Sequence, residues 1–338
     1  MSELRTDWLT GRTVIVAENR AERPNEFAGA IGNVAETTSS ASSTCAFCAG
    51  QEFQTPPPVY QTIDAHGQWQ VRVVPNMFPA VTPDYNLRFH VSRPLAPVQS
   101  VQVNPAFGAH EVIIESSRHI NHTSLLSAVE LQAVLLAYAA RLQHWRDVHH
   151  FHYGLIFKNQ GARAGASMAH LHSQLIALPE VPPAVRDELH RAEQQYLQQQ
   201  LCAYCQLIAA ERTAGERMVL DRDGYVAFCP FASSQPVEIW LLPSDHQPSF
   251  EELSEPANFQ SLAGVLHTLI ARLEAILPEP SYNMVLRTAP WHTENGTYFH
   301  WRIELLPRVA EWAGLELATG VRINPVSPER AAEKLRSI

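Results

Sequence analysis

The sequence holds no apolar run approaching the ~18 residues that a membrane-spanning helix needs, and its opening, MSELRTDWLTGR, has charged residues where a secretory signal would carry an apolar core. Basic charge is scarce: 25 Lys and Arg stand against 34 Asp and Glu, a formal net charge of −9 over 338 residues. That balance argues against a nucleic-acid partner, because phosphate backbones are bound by clustered cations. Cysteine is sparse and odd in number, five in the whole chain, which excludes the disulfide framework of a small secreted domain. The expectation is a cytoplasmic protein with no membrane or nucleic-acid partner. What is present is a 46% hydrophobic fraction, ample for a core, over a length that suggests two units of ~150 residues.

Four of the cysteines form two pairs, Cys45-Ala46-Phe47-Cys48 and Cys202-Ala203-Tyr204-Cys205, while Cys229 sits in an apolar run and reads as a buried thiol. Laying the pairs over one another reveals an internal repeat. After the first come the apolar segment Val73 to Pro79, a strand Glu111 to His119 with the histidine at its end, an amphipathic helix over about Leu125 to Trp145, a further strand, a turn, and His170-Leu171-His172. After the second come Val226 to Phe231, a strand Glu238 to His246, a helix over about Phe259 to Leu277, a strand Tyr282 to Thr288, and His300-Trp301-Arg302. Cys45 to Cys202 is 157 positions, His119 to His246 is 127 and His170 to His300 is 130, so one insertion of about 30 residues in the first half, including Ser92 to Phe107, reconciles the two. Leu262, Val265, Leu266, Leu269, Ile270, Leu273 and Ile276 follow the helical period. Pro182 to Leu201 reads as a polar connecting helix, and Ser327-Pro328 opens a last one. The organisation is thus a first repeat over 1–181, a connecting helix over 182–201 and a second repeat over 202–338.

Each half keeps two cysteines, a histidine at a strand end and a histidine on the last strand, a donor set suited to tetrahedral zinc. The sets are Cys45, Cys48, His119 and His170, and Cys202, Cys205, His246 and His300, giving about two structural Zn2+ ions per chain. A redox pair wants its CxxC at a helix start, which Ala49-Gly50 and the prolines from Pro56 to Pro58 prevent at the first pair. One four-thiolate zinc ribbon joining both pairs, or thiols that are merely structural, are the rival readings.

Strand alternation would place His170, His172 and Gln174 on one face. With His170 pinned by metal, His172 is held in one orientation, and a neutral imidazole is a good nucleophile toward phosphorus. Gln174 can donate to a phosphoryl oxygen, and the small-residue loop Asn159 to Ser167 can cradle phosphates with its amides and the Ser167 hydroxyl. A lone HxH is more often a buried structural pair. Here the position equivalent to His172 is Arg302, so the repeat keeps the metal ligand, loses the nucleophile and implies one active centre per chain.

Taken together, Cys45-Ala-Phe-Cys48, Asn76-Met-Phe-Pro-Ala80, His110-Glu-Val-Ile-Ile-Glu115 and Ser167-Met-Ala-His-Leu-His-Ser-Gln174 resemble the galactose-1-phosphate uridylyltransferase family of the histidine-triad superfamily, from about Leu9 to Leu335. Within it, His170 to Val181 followed by Pro182-Pro183, and the second set of two cysteines and two histidines, are most similar to the ADP-glucose phosphorylase branch. The resemblance implies an α+β fold of tandem histidine-triad-like repeats, with an antiparallel sheet flanked by helices. It also implies a homodimer with the N-terminal arginines near the subunit boundary. The implied reaction moves a nucleoside monophosphate between a nucleotide sugar and a sugar phosphate or inorganic phosphate, through a covalent nucleotidyl-His172. Phosphate contacts then fall on Arg20, Arg23, Asn159, Ser167 and Gln174, with Gly165 in the same loop, and the base and ribose fall on Asn76 and Phe78. Leu171 replaces the family's proline, Met77 stands where many uridylyltransferases carry an acidic residue, and Arg322 stands about where the galactose enzymes carry a glutamate. These departures weaken a uracil or galactose specificity and would suit an anionic acceptor. A phosphorylase or hydrolase of dinucleoside polyphosphates or adenylyl sulfate is the second enzyme reading, and a non-catalytic zinc-stabilised nucleotide binder the third.

Overall fold

The computed structural model describes residues 3–16, 45–83, 106–148, 150–277, 279–294 and 296–338. Arg20, Arg23 and most of the expected insertion lie outside the described residues. In chain order the strands and helices are β1 (Glu3–Thr6), β2 (Thr13–Val16), β3 (Tyr60–Ile63), β4 (Trp69–Pro75), β5 (Ala109–Ile114), α1 (Ala128–Arg146), β6 (Tyr153–Gln160) and β7 (His172–Leu178). They continue as α2 (Pro183–Gln199), α3 (Ala203–Ala214), β8 (Met218–Arg222), β9 (Tyr225–Phe228), β10 (Ile239–Pro243), α4 (Pro256–Ile276), β11 (Tyr282–Arg287), β12 (Arg302–Pro307), α5 (Gly314–Thr319), β13 (Arg322–Asn324) and α6 (Pro328–Arg336).

Ten strands form one antiparallel sheet in the order β3-β4-β5-β7-β6-β11-β12-β10-β9-β8. Read inward from its two ends, the order β3, β4, β5, β7, β6 matches β8, β9, β10, β12, β11, so the repeat expected from the cysteine and histidine offsets is a sheet of two like halves. The halves join through β6 and β11, paired from Leu155↔Arg287 to Gln160↔Tyr282. A separate three-stranded sheet places β13 parallel to β2, bringing the C-terminal region against the N-terminal strands.

Alternation along these strands gives the large sheet two distinct faces. Val71, Val73, Ile113, Leu175, Ile156, Leu286, Ile303 and Leu241 point to one face and are fully or nearly fully buried in the main core beneath α1 and α4. α1 opens on a capping box: the Ser127 side chain accepts from the Glu130 amide at 3.3 Å, and Glu130 accepts from the Ser127 amide at 2.8 Å. This cap, after a 3-10 turn at Thr123–Leu125, starts the helix three residues later than its apolar pattern suggests. α4 buries Leu262, Val265, Leu266, Leu269, Ile270 and Leu273, the helical stripe read from the sequence, at about 1.5–3 kcal/mol per side chain.

Three boundaries differ from expectation. β5 ends at Ile114 rather than running to His119, because Ser116 Oγ accepts from the Arg118 amide at 3.1 Å and turns the chain. β10 ends at Pro243, which has no N–H for the ladder, leaving His246 beyond the strand. β7 begins at His172, so His170 precedes the strand instead of sharing its face.

The second face is filled in one half of the sheet and open in the other. In the second half, Cys202, Ala203, Tyr204 and Ile208 pack on Val226, Phe228, Trp240 and Leu242. Beside them lies a buried charge network: Arg302 bonds Glu304 at 2.8 Å and Glu188 of α2 at 2.7 Å, and Arg287 bonds Glu304 at 2.7 Å. Burial alone would raise the Glu304 carboxyl, but the guanidiniums of Arg287, Arg302 and Arg12 overcome it and hold the group at about 2. A folded-state value below the unfolded ~4.3 means stability that is present above that value and lost as pH falls toward 2. The midpoint of urea unfolding should therefore drop between pH 4.5 and 2.5. Glu304→Gln should be less stable than wild type at pH 7, by about 3–5 kcal/mol for the broken buried pairs, with the gap closing across that acid window. A gap independent of pH would contradict this account.

Candidate active site and metal-ligand clusters

In the first half the open sheet face carries the predicted reactive residues. β5 and β7 pair Ile114↔His172 and Val112↔Gln174, so His172 and Gln174 point to the same side as His110. The Cys45–Cys48 turn closes over them. Its backbone is tied by Cys48 N–H to Cys45 O at 3.1 Å, and Ala49 N–H donates to Ser117 O at 3.0 Å, drawing in the turn that bears His119.

Cys45, Cys48, His119 and His170 converge with all donor atoms within 4.8 Å of one another. The Cys48 sulfur is 3.3 Å from His119 Nδ1, and His170 Nδ1 is 3.6 Å from both sulfurs. Metal–sulfur and metal–nitrogen bonds of about 2.3 and 2.0 Å at tetrahedral angles place such donors about 3.5 Å apart, so this set fits a four-coordinate ion. His170 Nε2 lies 2.8 Å from Ser116 O, which fixes the tautomer that leaves Nδ1 as the donor atom. Burial pushes His170 down to about 4, keeping the imidazole neutral and ready to ligate, while burial and the Cys45 thiol push Cys48 up to about 11. In the second half Cys202, Cys205 and His246 form a three-donor group, with Cys205 Sγ 3.5 Å from His246 Nδ1.

His300 stands outside that group, against expectation. Its ring is 5.6 Å from that of His246, close to the 5.4 Å between His119 and His170, yet its Nδ1 faces Trp301 O and its buried Nε2 has no hydrogen-bond partner among the described residues. The second CxxC also differs in setting. Cys202 caps α3, whereas the first pair lies in turns, because Ala203 to Ala214 carries no proline.

His172 is 7% exposed and borders a cavity of about 370 Å3 that Asn76, Phe78, His110, Ser167 and Gln174 also line. Its Nδ1 donates to His170 O at 2.8 Å, the proton sitting there because a carbonyl can only accept. Nε2 has no hydrogen-bond partner among the described residues. Burial lowers the His172 pKa, so the neutral ring is favoured. Phe47, between the two cysteines, packs edge-on to His172 at 5.4 Å and His170 at 5.9 Å. At the cavity mouth Phe78 is 86% exposed and Met77 59%, an apolar surface able to stack on a planar ring. Asn159 and Gly165 do not line this cavity: Asn159 accepts from Asn283 Nδ2 at 2.9 Å, and Gly165 sits in a left-handed turn with φ +86°. Arg322 is also away from it, stacked 3.6 Å over the Trp312 ring. Phe47 and His110 carry no role in the sequence reading, although alternation from Val112 would have placed His110 on the site face.

A family model described as the galactose-1-phosphate uridyl transferase N-terminal domain matches residues 1–182. The chain belongs to the galactose-1-phosphate uridylyltransferase family. A second model, a domain of unknown function, matches residues 99–337. The chain is 33% identical over 339 aligned residues to the ADP-glucose phosphorylase of Arabidopsis thaliana, covering 99% of this chain and 93% of that protein. It is 28% identical to the galactose-1-phosphate uridylyltransferase of Thermotoga maritima over 68% of this chain and 74% of that one. The crystal structure of an Arabidopsis thaliana ADP-glucose phosphorylase with bound ADP-glucose superposes with a TM-score of 0.84 at 31% identity, covering 100% of this chain and 99% of that one. The α+β architecture is thus that of the family, and no helix among the described residues is long and apolar enough to cross a membrane.

The clusters make a spectroscopic prediction. Titrating the metal-free full chain with Co2+ should produce the visible absorption of tetrahedral thiolate–imidazole cobalt, and Cys48→Ala should remove about half of its intensity. Unchanged absorption in that variant would exclude the first cluster as a metal site.

Proposed function

We propose that this family member transfers an adenylyl group from a nucleotide sugar of the ADP-glucose type to phosphate or a sugar phosphate, with His172 as the nucleophile. The observation that carries this reading is the 2.8 Å bond from His172 Nδ1 to His170 O beside a cavity, which directs the Nε2 lone pair to the site. Nε2 forms a bond to the α-phosphorus while the bond to the bridging oxygen breaks, and hexose 1-phosphate departs. The positive charge on the ring is met by the His170 carbonyl. Attack of an acceptor phosphate oxygen on the same phosphorus then restores the ring.

In this reading Gln174 donates to a phosphoryl oxygen as its charge grows, and Ser167 holds a second phosphate. Asn76 and Phe78 flank the base and ribose, while Arg20, Arg23 and Asn159 keep the phosphate roles that the family resemblance gives them, Asn159 and the loop residue Gly165 acting from outside the cavity lining. Likeness to an ADP-glucose phosphorylase over 99% of this chain supports adenine and glucose in the donor, as does Met77 in place of an acidic residue.

Both clusters are assigned to Zn2+, with His300 completing the second after its ring turns, since its orphaned Nε2 is a buried donor in need of a partner. A closed four-donor ion supplies no open coordination position; when bound, it fixes the backbone around His170. The chain is proposed to divide into repeats at 1–181 and 202–338 about the 182–201 connecting helix, and to act as a cytoplasmic homodimer.

Incubation with ADP-glucose radiolabelled in the α-phosphate should leave acid-labile label on the protein, released by inorganic phosphate as labelled ADP. His172→Gly should abolish the label. No label from ADP-glucose, UDP-glucose or GDP-sugars would refute the covalent route.

A further inference from the structure

We propose that His110 is a positioning residue whose tautomer, fixed by a main-chain amide, turns the Gln174 carboxamide so that its NH2 group is the one offered to the phosphoryl group. This rests on the assignment of Gln174 as a phosphoryl donor made above.

His110 lies on β5 two residues from Val112, the register partner of Gln174, so the two side chains meet diagonally on one sheet face. His110 Nε2 is 2.8 Å from Gln174 Oε1. The two ends of a carboxamide are nearly the same shape, and which end faces a neighbour is decided by where that neighbour carries hydrogen. The decision originates at Ala80. Its backbone N–H points at His110 Nδ1 across 3.0 Å, and a peptide N–H can neither accept nor flip, so Nδ1 must be the bare nitrogen. A neutral ring then holds its proton on Nε2, and that N–H requires an oxygen. Gln174 supplies Oε1, leaving its amide hydrogens directed elsewhere, with no acceptor among the described residues.

Asn76 braces the arrangement: its main-chain N–H donates to His110 O at 3.0 Å, and its Oδ1 accepts from the Phe78 amide at 2.8 Å. Its Nδ2 lies 3.1 Å from His110 Nε2. With Nε2 protonated the two groups are both donors, so Asn76 also offers its amide hydrogens to an incoming acceptor. The opposite tautomer would accept from Asn76 but set Nδ1–H against the Ala80 N–H. His110 thus links the turn at Asn76–Ala80 to Gln174 on β7, and the Ala80 and Phe78 amides of that turn set the two carboxamides with their NH2 groups free.

Two measurements on the full-length metal-bound protein test this. In 15N-histidine NMR, with His110 assigned by its loss in His110→Gln, the ring should be the Nε2–H tautomer; an Nδ1–H tautomer would overturn the proposal whatever the rates of the variants. In single-turnover labelling with ADP-glucose, Gln174→Ala and His110→Phe should each slow nucleotidylation roughly 10²-fold while nucleotide-sugar affinity stays within a few-fold. The double variant should be no slower than Gln174→Ala alone, because both changes remove the same aligned donor. His110→Gln, which retains an N–H toward Gln174, should recover most of the rate lost in His110→Phe. Multiplicative losses in the double variant, or no rescue, would overturn the positioning role. A wild-type rate in Gln174→Ala would instead refute the assignment of Gln174 itself.

Discussion

The site depends on a bond between two residues of one short segment, the 2.8 Å contact from His172 Nδ1 to the carbonyl of His170. That carbonyl can be a fixed point only if His170 is fixed, and three sets of contacts see to it. Its Nε2 is held by Ser116 O, its Nδ1 faces both sulfurs of the first CxxC, and its ring abuts His119 and Phe47. An ion at the cluster would tighten the same constraint, since ligation adds bonds where the described structure has only close approach. Burial works in the same direction. It lowers the pKa of His172, so the ring stays neutral with its one proton committed to the carbonyl.

The two halves of the sheet show what happens when that constraint is absent. At the register positions of His172 and Gln174 the second half places Arg302 and Glu304, and the phenylalanine between the first cysteines becomes Tyr204. Arg302 lies 5.6 Å over the Tyr204 ring and bonds Glu188 and Glu304, so the space that is a cavity in one half is a buried salt bridge in the other. One backbone plan therefore yields one site and one packed counterpart, and three side-chain identities decide which is which.

Much of this was legible in the sequence because it is periodic. The 3.6-residue stripe of α4, the two cysteine pairs and the similar histidine offsets all survive as structure, and the first donor set converges as read. What escaped was settled by local chemistry or distant contact. The ends of β5 and β10 are set by a serine turn and a proline, which shift boundaries without altering apolar pattern. His300 has the right place in the repeat, yet the orientation of its ring is a matter of packing that no spacing encodes. His110 was visible as part of a motif, but its partners Ala80 and Gln174 lie 30 and 64 residues away. The parallel pairing of β13 with β2 joins opposite ends of the chain and leaves no trace in either strand alone.

The buried charges of the second half look costly, since each ion loses several kcal/mol of hydration on entering the interior, and Glu304 Oε2 has no hydrogen-bond partner among the described residues. Their geometry shows what offsets this. Glu304 Oε1 receives both Arg287 and Arg302, and Arg302 reaches on to Glu188, so one network fastens α2, β11 and β12 together. β11 is in register with β6 over Tyr282 to Arg287, and β6 in turn pairs with β7, the strand that begins at His172. A shift of β11 by one residue would turn Arg287 to the face opposite Arg302 and take one of the two guanidiniums from Glu304 Oε1. The network is therefore strong where it resists sliding and weak as a source of net stability. By locking the register of the seam, the half that carries the salt bridges holds in place the strand that carries the other half's reactive ring.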